Sequence, residues 1–152
     1  MNVTKGVQVM KNRRGFTLME MLIVVAIIAI LAAIAAPAYF RYVERSRRVE
    51  GQVLANTVAQ AQERHFATYN RYANNLVGAG INRLGFSAAP CGVVASETCK
   101  YSAVVATTNN NQNFTVTVTP RLIQAADKCG SLTLTGTGVK AFTGPGTKGK
   151  CW

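Results

Sequence analysis

Acidic residues, histidine and metal-binding motifs are scarce in this 152-residue sequence. Six Asp/Glu stand against 17 Lys/Arg, so the formal net charge at pH 7 is +11. His65 is the only histidine, and the four cysteines form no Cys-x-x-Cys pair. The sequence therefore carries no signature of a metal site or of a His-based catalytic group. Its basic balance is compatible with contact to anionic lipid, nucleic acid or an acidic partner.

Enzyme motifs are lacking as well. The sequence has neither a Gly-rich phosphate loop nor a nucleophile elbow. The acids of the C-terminal part are scattered rather than paired: Glu44, Glu50, Glu63, Glu97 and Asp127. We therefore expect a protein that is not an enzyme and that needs no cofactor.

One long apolar segment is present near the N-terminus. Met21–Ala36 contains no polar side chain. As a helix, Phe16–Ala36 would be about 31 Å long, which is enough to span the hydrocarbon of a bilayer. Basic residues before it predict a cytoplasmic N-terminus and a C-terminus outside. These residues are Lys5, Lys11, Arg13 and Arg14.

Three kinds of export segment begin with basic residues followed by an apolar run, as this N-terminus does. A cleaved secretory signal could use Ala33-Ile-Ala35, but Glu20 lies inside the apolar stretch. A charge there is unfavourable by roughly 2.5–3.5 kcal/mol on insertion scales. A plain membrane anchor explains the length of the segment but not Glu20. The third kind accounts for both.

The stretch Lys11-Asn-Arg-Arg-Gly-Phe-Thr-Leu-Met-Glu20 resembles the prepilin cleavage motif of type IV pilins and type II secretion pseudopilins. The resemblance implies a leader, 1–15, that prepilin peptidase removes between Gly15 and Phe16, followed by N-methylation of Phe16. Residues 16–37 would then be the transmembrane and filament-core helix. The subunit would move from the inner membrane to an extracellular pilus. Its partners would be the lipid bilayer, the inner-membrane assembly machinery and other pilins, major and minor.

Glu20 has a physical role in this interpretation. A carboxylate in hydrocarbon is unfavourable by several kcal/mol unless it is paired or neutralised. Cleavage after Gly15 creates an α-amino group close to Glu20 along the helix. We expect that cation, from the same chain or from an incoming neighbour, to pair with Glu20 and to guide assembly.

A second, amphipathic part of the helix is predicted after Pro37, where proline should produce a kink. Apolar residues at three- and four-residue steps predict the side that faces a core, and the helix should end near 70–75. The predicted stripe is Tyr42, Val49, Val53, Ala61, His65, Tyr69 and Tyr72. His65 is interpreted as a packing residue within it.

A basic ridge lies on the same helix. Arg41, Arg45 and Arg48 follow one another at i, i+4 and i+7. The ridge either contacts phosphate of DNA or lipid, or forms a solvated or intersubunit face. Lys140, Lys148 and Lys150 are further candidates for contact with an anion.

The C-terminal part, 38–152, is predicted to be a globular α+β domain. Strands are expected at 101–106, 113–119, 132–135 and 139–142, with a connecting loop at 74–100. Short connections imply an antiparallel sheet packed on the long helix.

Disulfides are expected in this exported domain. Four cysteines allow three pairings, and local loop closure favours Cys91–Cys99 and Cys129–Cys151.

Two shorter stretches indicate a subgroup within the pilin family. Cys129-Gly-Ser-Leu-Thr-Leu with the final Cys151-Trp152, and Glu63-Arg64 with Tyr69-Asn-Arg-Tyr-Ala73, resemble the PilE-type minor pilins of pseudomonads and their relatives. The implied function is that of a structural subunit of a type IV pilus, in support of assembly, adhesion, motility or DNA uptake. A DNA-binding competence pilin and a type II secretion pseudopilin remain as alternatives.

Overall fold

The structure is a computed structural model that describes residues 15–78, 80–88, 91 and 93–152, without the side chain of Lys148. The predicted leader lies outside these residues except for Gly15, and so do its four basic side chains. The chain divides into two compact units, Met1–Tyr39 and Phe40–Trp152.

A single helix, α1 (Leu18–Tyr69), runs through both units. Thr17 caps its start, because the Thr17 hydroxyl accepts the backbone N–H of Glu20 at 3.2 Å. Asn70 follows its end in the left-handed region with φ 51°, a common helix stop. The predicted end of the helix is thus confirmed. Pro37 lies inside α1, with helical residues on both sides.

The first unit consists of apolar helix without a covering partner among the described residues. An 18-residue window of α1 has a mean hydropathy of 2.9, and none of that window is buried. Its length and composition are sufficient to cross a membrane. The second unit contains the remainder of the fold.

The second unit combines the C-terminal part of α1 with two sheets. Its further elements are β1 (Asn75–Val77), β2 (Arg83–Phe86), β3 (Tyr101–Thr108), β4 (Asn113–Pro120), a 3₁₀ turn (Leu122–Gln124), β5 (Leu132–Thr135), β6 (Lys140–Phe142) and α2 (Lys148–Cys151). A four-stranded antiparallel sheet has the order β3-β4-β5-β6, and a parallel pair, β1-β2, precedes it.

The predicted α+β class and the four predicted strands are confirmed. The loop expected at 74–100 is wrong in part, because β1 and β2 lie within it. The hairpin between β3 and β4 turns through Asn109, Asn110 and Asn111, all with φ between 52° and 63°. Asparagine tolerates this left-handed conformation better than most residues do.

The core lies between α1 and the four-stranded sheet. The strict alternation in β4 predicts one buried side, formed either by Phe114, Val116 and Val118 or by the polar residues between them, and the structure buries the three apolar residues. On α1 the predicted stripe is confirmed at Ala61 and His65, which are buried, and is wrong at Tyr42, Val49 and Val53, which are exposed. The buried residues of the helix are Arg48, Gly51, Leu54, Ala55, Val58, Ala61, Gln62 and His65.

Gly51 explains how closely helix and sheet approach. A Cβ at this position would lie 2.8 Å from the ring of Tyr101, which is too short for a carbon contact. The glycine therefore leaves room for the fully buried Tyr101 ring against the helix. Its helix-weakening effect is offset by this packing.

Candidate functional site

The start of the described chain carries the residues with predicted roles in processing and assembly. Gly15, Phe16 and Glu20 are all exposed. Phe16 and Glu20 lie on either side of Thr17, whose hydroxyl caps the helix. The structure therefore leaves these groups accessible to a peptidase, a lipid or a neighbouring subunit, and their roles stay predictions.

Arg48 is not part of an exposed basic ridge, which corrects the prediction made for it. Only 7% of the residue is exposed, and its guanidinium faces Asp127. Nε donates to Oδ2 at 3.0 Å, Nη2 donates to Oδ1, and Nη1 donates to the carbonyl of Lys150 at 2.8 Å. The sequence spacing showed the ridge but not the acid, because Asp127 is 79 residues away.

Asp127 is the centre of a buried polar cluster. Its side chain is 1% exposed and also accepts the hydroxyl of Tyr101 at 2.8 Å, the amide of Gln124 at 3.0 Å and the backbone N–H of Cys129 at 3.0 Å. Burial opposes ionisation of the carboxyl. The hydrogen bonds outweigh burial and lower its pKa to about 2, from 3.8. Burial, followed by the contact with Asp127, raises the pKa of Tyr101.

The position of Arg48 also fixes where the rest of the ridge lies. Arg45 and Arg41 precede it by three and seven residues, so they share its side of the helix. Both are exposed. They therefore lie along the side of α1 on which Asp127 is bound, closer to the apolar segment than Arg48 is.

Two disulfides are present, Cys91–Cys99 and Cys129–Cys151. This is the pairing that local loop closure favoured. The second one links the start of the segment before β5 to α2, and both of its cysteines are buried. Gly146 packs directly on it, because a Cβ there would lie 2.6 Å from Sγ of Cys151. The C-terminal segment is thereby fixed on the domain.

The segment that this disulfide fixes contains several exposed lysines. Residues 128–152 include four lysines and no acidic side chain. Lys128, Lys140 and Lys150 are exposed, and Nζ of Lys140 lies 5.1 Å from the ring centre of Trp152. The indole Nε1 of Trp152 donates to the carbonyl of Ala141 at 2.8 Å. We call Lys128, Lys140, Lys150 and Trp152 the C-terminal basic surface.

The three lysines that the sequence suggested for contact with an anion differ in where the structure places them. Lys140 and Lys150 lie in the C-terminal basic surface, and the side chain of Lys148 lies outside the described part. Lys128 and Trp152 were missed as candidates. The signal that could have found them is the absence of Asp and Glu from 128 onwards.

His65 belongs to the helix end and its packing. One ring nitrogen, Nδ1, bonds to the carbonyl of Arg71 at 2.9 Å, so it acts as the donor. The ring lies 4.6 Å from that of Tyr69. Nearby, the buried amide of Gln62 pairs with both the N–H and the carbonyl of Ala73. These contacts hold the chain that leaves the helix. No cluster of metal-ligating side chains occurs among the described residues.

An uncovered apolar helix that continues into the main helix of an α+β domain is the architecture of a pilin-type subunit. The chain belongs to the family described as type IV minor pilin ComP, DNA uptake sequence receptor, whose model matches residues 37–133. The prokaryotic N-terminal methylation motif matches residues 10–36. The chain is thus a type IV pilin, a class of structural subunits. The resemblance to pilins that the sequence showed is confirmed.

Relatives of known name fall in the same class. The chain is 38% identical over 69 residues to a type IV major pilin protein PilE1 of Neisseria gonorrhoeae, covering 45% of this chain and 42% of that protein. It is equally identical, over the same length, to a fimbrial protein of Neisseria meningitidis, covering 45% and 41%. The match thus spans about two fifths of these relatives.

A solved structure is also similar. A type IV pilin from Shewanella oneidensis shares 27% identity, with a TM-score of 0.48 and coverage of 72% of this chain and 97% of that one.

Proposed function

We propose that this pilin is a non-enzymatic minor subunit whose C-terminal basic surface contacts DNA during uptake through a type IV pilus. The single observation that carries the proposal is that Lys128, Lys140 and Lys150 are exposed in an acid-free segment fixed by a disulfide, with Lys140 against the ring of Trp152. The description of its family as a DNA uptake sequence receptor supports it.

The chemistry of this surface suits a nucleic acid. Lysines neutralise backbone phosphates and release condensed counterions, which drives binding that weakens with salt. Trp152 is partly exposed, so an accessible aromatic ring lies beside Lys140. Aromatic rings next to basic side chains can stack on bases where a strand is open. The disulfide Cys129–Cys151 holds these groups in place before DNA arrives.

The proposal includes the processing of the chain. Prepilin peptidase would cut between Gly15 and Phe16, residue 16 would be N-methylated, and the helix would stay in the inner membrane with its C-terminal domain outside. The methylation motif over residues 10–36 supports this step. Intact-mass spectrometry of the mature protein tests it: a first residue other than methylated phenylalanine contradicts it.

DNA contact is tested with the full-length protein in detergent. The variant Lys140→Glu/Lys150→Glu should retain duplex DNA at least about tenfold less well than the wild type at moderate salt. The slope of log K against log salt should fall by about 0.9 for each phosphate contact that is lost.

Arg64→Glu is the matched control, since it reverses one exposed cation on α1, away from the C-terminal segment. Equal loss of DNA binding in the control and in the lysine variants would assign binding to net charge rather than to this surface. Unchanged binding in the lysine variants would contradict the proposal directly.

A further inference from the structure

The 3₁₀ turn between β4 and β5 exposes two large apolar side chains. Leu122 is 67% exposed and Ile123 is 68% exposed. Leu122 also has φ 53°, in the left-handed region that a branched side chain rarely adopts. Such strain persists only where the surrounding structure enforces it, and it is often associated with function. We call Leu122 and Ile123 the apolar tip.

Hydrogen bonds from the residues on either side of the apolar tip fix it to the rest of the domain. The N–H of Arg121 donates to the carbonyl of Lys100 at 2.7 Å, which ties the turn to β3. Gln124 is 2% exposed, and its amide donates to Asp127 at 3.0 Å and to the backbone carbonyl of Glu44 at 3.4 Å. The turn is therefore fixed against the first turns of α1 within the second unit.

The contact with Glu44 ties the apolar tip to the part of the domain that is nearest to the apolar run along the chain. Glu44 follows Ala36, the last residue of the apolar run, by eight positions. A stretch of eight residues reaches at most about 28 Å even when it is fully extended. When the apolar segment spans a bilayer, Glu44 lies within reach of the headgroup layer.

The flanks of the tip carry the charge that an anionic lipid surface attracts. Arg121 and Lys128 bound the turn in sequence, and its one acid, Asp127, is buried in the pair with Arg48. Arg45 is exposed on the side of α1 that carries Arg48, and the residue before it, Glu44, is acidic. Apolar side chains bordered by cations are the composition of surfaces that insert shallowly into a membrane interface.

We propose that the apolar tip and its basic flanks form a lipid-facing surface that rests on anionic headgroups while the subunit is anchored in the bilayer. Leu122 and Ile123 enter the interface, and Arg45, Arg121 and Lys128 contact lipid phosphates. The surface holds the domain against the membrane before assembly, and extraction into a filament releases it. This inference rests on membrane anchoring and shares only Lys128 with the C-terminal basic surface that is proposed to contact DNA.

Photo-crosslinking of the full chain in nanodiscs tests the surface. Benzoylphenylalanine replaces Leu122 or, in a second variant, Ile123, and the discs contain phosphatidylglycerol and phosphatidylethanolamine. Mass spectrometry should find adducts with one lipid at both positions. The matched control is position 139, because Val139 is 59% exposed in the β5–β6 hairpin. That hairpin lies near Phe114, which contacts Tyr72 just past the far end of α1.

The outcomes separate lipid from other partners. A lipid-adduct yield several times higher at 122 or 123 than at 139 supports the proposal, and equal yields overturn it. Adducts to a second pilin or to added DNA that outnumber the lipid adducts at 122 also overturn it.

A charge arm tests the basic flanks. Lys128→Glu and Arg45→Glu should each lower the adduct yield about fivefold in anionic discs, the factor that one basic side chain near an anionic leaflet supplies. Arg64→Glu should leave the yield unchanged. Equal yields in anionic and in pure phosphatidylcholine discs would contradict the role of the cations.

Discussion

The two parts of α1 differ in where their apolar side chains find a partner. Up to Tyr39 the helix is apolar on all sides apart from Glu20 in its first turn, and none of its most apolar window is buried. From Phe40 onwards one side is buried against the sheet, through residues such as Leu54, Ala55 and Val58. The first part has no covering partner among the described residues, whereas the second is packed within its own chain.

This difference separates assembly from folding. Changes in the first part should alter the filament and leave the domain intact. Changes in the second should destabilise the domain, whatever happens in the membrane. Trp152 is the only tryptophan and lies in the domain, so its fluorescence reports the domain alone.

The largest effect is expected from Glu20→Ala. Without the carboxylate there is no buried charge for the terminal amine of an incoming subunit to neutralise. We expect the subunit to be almost absent from purified pili, measured by quantitative immunoblotting, while the unfolding midpoint from Trp152 fluorescence stays unchanged. Glu44→Ala removes an acid from the same helix past the apolar run and should assemble normally. Incorporation of Glu20→Ala at the wild-type level would contradict the pairing.

Asp127→Ala should destabilise the domain by about 3–5 kcal/mol, because it leaves the guanidinium of Arg48 buried without its partner. The measurement is denaturant unfolding of the full chain in detergent, followed by Trp152 fluorescence. Glu97→Ala is the control, since this exposed acid should change stability by no more than about 0.5 kcal/mol. If Asp127→Ala lowered the free energy of unfolding by less than about 1 kcal/mol, the polar cluster around Asp127 would contribute little to the stability of the domain.

The two disulfides should differ in their effect on the same measurement. Replacing Cys129 and Cys151 by alanine should lower stability by about 3 kcal/mol, since their sequence separation is 22. Replacing Cys91 and Cys99, with a separation of 8, should cost less, about 2.5 kcal/mol. The reverse order would show that native-state packing, rather than loop closure, decides the contribution.

The smallest effect is the pH dependence that Asp127 confers. The pKa of this carboxyl is about 2 in the folded domain, against 3.8 as its ordinary value. It therefore contributes about 2 kcal/mol above pH 4, and the contribution is lost as pH falls from about 4 towards 2. In Asp127→Asn this part of the acid transition should disappear. An identical pH profile in the variant and the wild type would assign acid sensitivity to other groups.

The sequence predicted the sides of helices and strands correctly where the residues of one segment are sufficient to define them. The alternation in β4 showed that one side of the strand is buried, and helix spacing put Arg45 on the same side as Arg48. The helix stripe was misplaced because both sides of α1 between Tyr42 and Val58 carry apolar residues. Periodicity shows that such a helix has sides but does not say which one a sheet will cover.

The sequence by itself determined the membrane-length helix, the acid within it, the α+β class and the pilin family. These follow from properties of contiguous residues: apolar length, charge and period. Only the tertiary structure decided that Arg48 is paired with Asp127, that Gly51 admits Tyr101, and that Lys140 lies against Trp152. Each of these depends on groups that are far apart along the chain and meet only when the sheet packs on the helix.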